Sequence, residues 1–145
     1  MKIEKSTRGF TLIELLVVIA IIGLLSSLSV IALNSARAKS RDAKRISDVK
    51  QLQTALELYF NDYNLYPTTA AVASGASLGG VNTYMSLVPT APTPPDSTCT
   101  TAQNTYTYGQ DSSGSSYHIS YCLGSLTGSI AAGAHDVTPV GLVNP

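Results

Sequence analysis

Past Lys50 this 145-residue chain contains no lysine and no arginine; all nine basic side chains fall within the first 50 residues. That absence confines any surface able to hold phosphate electrostatically to the N-terminal third. Proline is missing until Pro67 and glycine between Gly23 and Gly75. A long stretch therefore carries neither residue that punctuates a helix. Cysteine is limited to Cys99 and Cys122 and histidine to His118 and His135. Neither cysteine has a second ligand at metal-binding spacing, so no metal site is expected. His118 alternates in a predicted strand and His135 sits in a Gly/Ala-rich segment that reads as a loop. No Ser/His/Asp constellation, phosphate loop or paired-carboxylate site is present, so the chain reads as no enzyme and as needing no cofactor. Asp111, a single carboxylate among serines, is a weak calcium candidate.

What the chain does have is an apolar block of 24 residues, Phe10 to Leu33. As a helix at about 1.5 Å per residue it spans roughly 36 Å, enough to cross a bilayer core with some tilt. One carboxylate, Glu14, stands inside it. A charge at a membrane-helix centre costs about 2.5–3.5 kcal/mol on insertion scales, so an ionisable group there needs a partner or a purpose. Ahead of the block lies MKIEKSTRG, in which Lys2, Lys5 and Arg8 outweigh Glu4. The positive-inside rule holds that tip in the cytoplasm. A secretory signal would be shorter and end in a small-x-small site, whereas this block runs straight into a charged helix.

The junction, with Lys5, Arg8, Gly9, Phe10, Thr11, Leu12, Glu14 and the apolar run behind them, resembles the class III signal of type IV pilins and type II secretion pseudopilins. The resemblance implies that prepilin peptidase cuts between Gly9 and Phe10 and methylates the new amine. It also implies that the Phe10 amine of an incoming subunit pairs with Glu14 of one already assembled. The implied partners are further copies of the chain, the prepilin peptidase, a pilus assembly platform and, before assembly, the inner membrane. The implied product is a homopolymeric filament outside the cytoplasmic membrane, of the type IV pilus or pseudopilus kind. A minor pilin, or a membrane-anchored adhesin or DNA-uptake module, is the alternative. The family often has a proline in its apolar segment; here only Gly23, Ser26, Ser27 and Ser29 could weaken the helix.

After Asn34 strong helix formers continue to Tyr63, and Asn64 with the pre-proline Tyr66 reads as the exit. Ile46, Val49, Leu52, Leu56, Tyr59 and Tyr63 recur at steps of three or four and form one apolar stripe, with Arg45, Asp48, Lys50, Gln53, Glu57 and Asp62 on the polar side. Arg37, Lys39, Arg41, Lys44, Arg45 and Lys50 read as a solvated basic collar facing lipid headgroups or neighbouring acids. Nucleic acid is the less favoured partner, since it needs that collar exposed in the filament.

The remainder suits short strands and loops. Tyr84 to Val88 is expected to make a helical turn, and Pro89 to Pro95 excludes regular structure. Tyr106 and Tyr108 before DSSGSS, and Tyr117, Ile119 and Tyr121 after it, predict a β-hairpin. A Cys99–Cys122 disulfide is favoured over two separate thiols, because an even cysteine count in an extracytoplasmic head is its usual setting. The expected architecture is α+β, a long N-terminal helix packed on a small antiparallel β-sheet head. Its expected parts are a leader over 1–9, a membrane or filament-core helix over 10–33, an amphipathic helix over 34–66 and the head over 67–145.

Overall fold

The computed structural model describes residues 9–143. Most of the expected leader, residues 1–8 with Lys5 and Arg8, lies outside the described residues. The chain is α+β, with helix α1 over Leu12–Tyr63, a two-stranded sheet and a four-stranded sheet. It divides into two compact units, residues 1–36 and 37–145.

In the first unit α1 begins at Leu12, two residues after the apolar block does, because Thr11 serves as its N-cap. Every side chain from Gly9 to Ala36 is exposed, and α1 is long and apolar enough to cross a membrane. Gly23 is taken into the helix without a break. Below it two of the three serine hydroxyls turn inward on their own backbone, Ser27 Oγ donating to the Leu24 carbonyl and Ser29 Oγ to that of Leu25, each at 2.8 Å. This is how a hydroxyl is satisfied where no water is at hand.

In the second unit α1 ends where Asn64 takes a left-handed φ of 53°, its N–H closing a last bond of 2.7 Å to the Phe60 carbonyl. Asparagine tolerates that conformation, and Pro67 forbids a further turn. Strands β1 (Leu78–Gly79) and β2 (Thr83–Met85) form the small sheet. Tyr84 is thus in a strand, and the helical turn expected from Tyr84 to Val88 is corrected. Residues 86–106 then run without strands.

The larger sheet is an antiparallel meander of β3 (Thr107–Asp111), β4 (Ser116–Leu123), β5 (Gly133–Thr138) and β6 (Gly141–Val143). Its first two strands are the predicted hairpin, with Tyr108 opposite Ile119 and Gln110 opposite Tyr117. The alternation of β4 sends Tyr117, Ile119, Tyr121 and the further residue Leu123 to one face, where they pack on Val49, Leu52, Ala55 and Leu56 of α1. His118 and Ser120 point the other way. Gly109 lies across from His118, and any Cβ there would strike the imidazole.

One strand arises where the sequence reads as a loop. His135 belongs to β5, opposite Tyr121, so the register places it on the inner face; it is 4 % exposed and its Nε2 lies 2.8 Å from the Ala131 carbonyl. The apolar stripe of α1 also differs from expectation at both ends. Tyr63 is 43 % exposed and Tyr59 only half-buried, while the residues that continue the buried face upstream are Asp48, Arg45 and Asp42.

Cys99 and Cys122 are bonded, with Cα atoms 5.9 Å apart, which ties the proline-rich segment to β4. Closing a loop of this length contributes about 3 kcal/mol in the chain-entropy view. Replacing both cysteines by alanine should lower the head's thermal midpoint by more than about 10 °C. Near-ultraviolet circular dichroism of the tyrosines reads this directly.

Candidate functional site

The chemistry available in the first unit is concentrated at the start of α1. Gly9 is exposed and Phe10 is 92 % exposed, so the bond between them is open to approach. Four residues on, Glu14 folds back on the helix start: its Oε2 accepts the Thr11 N–H and the Thr11 hydroxyl, both at 2.8 Å. Thr11 Oγ1 in turn accepts the Glu14 N–H at 3.2 Å. This is a reciprocal capping box, with threonine at the cap and glutamate three residues later. It meets two of the helix start's unpaired N–H donors and gives the carboxylate a defined position. Among the described residues Glu14 faces no cation. The T-x-x-E spacing was available in the sequence as a signal for this box.

The second unit holds a cluster of charge between α1 and the segments after Pro92 and Leu123. Arg45 is 1 % exposed and Asp42 fully buried. One terminal nitrogen of Arg45 donates to Asp42 at 2.7 Å and to Asp96 at 2.9 Å; the other donates to the Pro92 carbonyl at 3.1 Å and to Asn104 at 2.8 Å. Asp42 also accepts the backbone N–H groups of Gly124 at 3.0 Å and Ser125 at 2.9 Å, and the Ser125 hydroxyl at 2.8 Å. Glycine is required at 124, since a Cβ there would collide with Asp96. Arg41 forms a two-bond pair with Asp96. The Arg41 guanidinium, with help from Arg45, holds the Asp96 carboxyl below the usual carboxylate range, although burial acts the other way.

Two further contacts close this region. Lys44 bridges to Asp48 at 2.9 Å, and the Tyr106 hydroxyl donates to Asp48 at 3.0 Å. Burial first, and the Asp48 charge second, raise the Tyr106 phenol far above its ordinary value. The basic collar is therefore corrected: Arg41, Lys44 and Arg45 are committed to acids of their own unit, Arg45 wholly out of solvent. Arg37, Lys39 and Lys50 stay exposed. Sequence reading placed Arg45 and Asp48 on the polar side because charge weighs against burial. The missed signal was that positions 42, 45, 49, 52 and 56 keep one helical period.

Elsewhere, Asp111 lies 2.8 Å from His118 Nδ1 on the outer sheet face. No group of three or more metal-ligating side chains occurs among the described residues. Near the end of α1, the rings of Tyr59 and Tyr63 lie 4.5 Å apart, tilted by 32°, with Tyr84 edge-on to both at 5.4 and 6.4 Å. The Tyr84 hydroxyl donates to Asp62 at 2.6 Å, and that bond, then desolvation, pushes the phenol up to about 12.

Comparison with known proteins bears on the first of these regions. The family described as the prokaryotic N-terminal methylation motif matches residues 5–30, the segment that holds Gly9, Phe10, Thr11 and Glu14. The chain is 45 % identical over 69 residues to type II secretion system core protein G of Escherichia coli (strain K12), covering 48 % of each chain. It is 48 % identical over 66 residues to the protein of the same name in Aeromonas hydrophila, covering 46 % of each. To the type IV major pilin protein PilE of Neisseria gonorrhoeae it is 34 % identical over 76 residues, covering 50 % of this chain and 46 % of that one. The chain thus spans about half the length of the curated relatives it matches. No solved structure matches it.

Proposed function

We propose that the chain is the repeating structural subunit of a type IV pilus or of a pilus-like secretion filament. Prepilin peptidase cuts between Gly9 and Phe10 and methylates the Phe10 amine, and the subunit polymerises through the apolar part of α1. Before the cut the chain is a single-pass protein of the cytoplasmic membrane with its basic tip inside; afterwards it is withdrawn into a filament on the outer side. Its role is mechanical rather than catalytic.

The observation that carries this reading is Glu14, a carboxylate in an apolar helix that among the described residues meets only Thr11 of its own helix start. Charge in such surroundings is retained where a counter-charge arrives. Cleavage before Phe10 creates that counter-charge, and a neighbouring copy can bring it to Glu14. The methylation motif over residues 5–30 and the similarity to a secretion core protein and a major pilin support the same assignment.

The test is negative-stain imaging of material sheared from cells that produce the chain, with N-terminal sequencing of the shed protein. Filaments whose subunits start at a methylated phenylalanine are expected. A monomeric protein that still starts at Met1 in cells containing the peptidase would overturn the proposal.

A further inference from the structure

The ion pairs of the second unit leave a remainder. Arg41, Lys44 and Arg45 are matched to Asp96, Asp48 and Asp42, whereas among the described residues Arg37, Lys39 and Lys50 meet no carboxylate. On the acidic side Glu57, Asp62 and Asp136 likewise meet no cation among the described residues. Within the second unit, unmatched cations thus lie on α1 up to Lys50, and unmatched acids lie after it.

One of those acids sits in a built setting. Asp62 is exposed and accepts the Tyr84 hydroxyl at 2.6 Å and the Asn82 amide at 3.4 Å, and the Tyr84 ring it holds lies edge-on to Tyr59 and Tyr63. Tyr63 shows 43 % of its surface. Aromatic faces carry negative potential, and a carboxylate at their rim adds a full charge. Such a patch fits a flat cation, and guanidinium suits it better than ammonium because it stacks and donates in a fork.

The chain past Lys50 has no lysine or arginine of its own to offer. Nor can its own Arg37 reach, since Arg37 lies about 37 Å down the same helix at about 1.5 Å per residue. Lys39, two residues from Arg37, points roughly 200° round the helix. We propose that the tyrosine–Asp62 patch receives Arg37 of a second copy of the chain, displaced along its helix by about that distance. The inference rests on the filament reading above and adds a specific lateral contact to it. It assigns Tyr63 and Asp62 as the receiving side and Arg37 as the donor.

Filaments of the unmodified chain are the first measurement, and their absence removes the filament reading and this contact with it. Given filaments, Tyr63 is replaced by the photoreactive p-benzoylphenylalanine and the sheared material irradiated. A doubled-mass adduct whose second chain is joined within one helical turn of Arg37 is the expected product. No adduct, or joining to lipid, to another protein or to a distant part of the second copy, overturns the contact while leaving the filament reading intact. Independently, Asp62→Arg should lower filament yield about fivefold, the scale of a partly desolvated pair with an aromatic contact. The exchange Arg37→Glu with Asp62→Arg should restore it. Chains that fold, shown by an intact Cys99–Cys122 bond, yet gain nothing from the exchange would also overturn it.

Discussion

Glu14→Gln should insert in the membrane, be cut after Gly9, and give filaments at less than about one tenth of the normal yield, the penalty expected when an amine is left without its counter-charge in an apolar interior. The choice of glutamine matters. In a capping box glutamine at the third helical position can still reach back to the cap residue's N–H, so the helix start keeps its geometry and only the charge is lost. Glu14→Ala removes both, and should add about 0.5–2 kcal/mol of local helix weakening. If the two variants fail to assemble alike, the charge is what assembly uses. If Glu14→Gln assembles normally and only Glu14→Ala fails, Glu14 serves its own helix start and the pairing with Phe10 is wrong. The readout is sheared filament as a fraction of total chain, with N-terminal sequencing to show that processing is unchanged.

Arg45→Met should cost the second unit about 3–5 kcal/mol, the range for removing one partner of a buried ion pair. Methionine fills much of the aliphatic volume, so the loss is mainly electrostatic. It would leave Asp42 buried with two backbone N–H groups and a hydroxyl but no cation, and would take the donor from Asn104 Oδ1, while the Pro92 carbonyl keeps only its bond from the Asn104 amide. Domains of this size have only about 5–15 kcal/mol of stability to lose. Lys44→Met is the control: Lys44 is 56 % exposed, and its bridge to Asp48 should be worth less than about 1 kcal/mol. Thermal unfolding of the full chain in detergent, followed through the tyrosine signal, separates the two; equal midpoints would contradict the argument. Acid should act on the same cluster. The Asp96 carboxyl is held below its ordinary range, so its contribution is present at neutral pH and is lost as pH falls from the ordinary carboxylate range through the folded value.

How far the sequence could be read follows from how local each signal was. The helix over Leu12–Tyr63 and its exit at Asn64 rested on propensity, spacing and one proline, all contained in short windows, and the structure has them. The hairpin was equally local, because Tyr108, Tyr117, Ile119 and Tyr121 alternate on either side of a polar turn. Strands β5 and β6 were not legible in this way. AGAHDVT opens on small residues, a histidine and an aspartate and has β-branched residues only in Val137 and Thr138 at its end, so its membership of the sheet is decided by β4 beside it. Glu14 was legible as an anomaly, while its bond to Thr11 needed the helix start to be placed within a residue. The Arg45 cluster was hidden for a different reason. Its acids come from Asp42 three residues away and from Asp96 in a proline-rich segment without regular structure, and only the fold brings them together. A charged residue at a core position is cheap only when such partners exist, and sequence spacing does not reveal them.

The serine hydroxyls near Gly23 carry one more implication. Because Ser27 and Ser29 give their protons to their own helix, neither hydroxyl proton is left over for an adjoining copy. Between copies packed as proposed, these two serines add no donor, and cohesion beside them comes from dispersion and shape, which have no preferred direction and change little over a small shift. Helices lined in this way can slide past one another and settle again. In the filament proposed above, a cable of such strands would yield under tension before it broke, and its recoil would fall to the few directional contacts at either end of the greasy stretch.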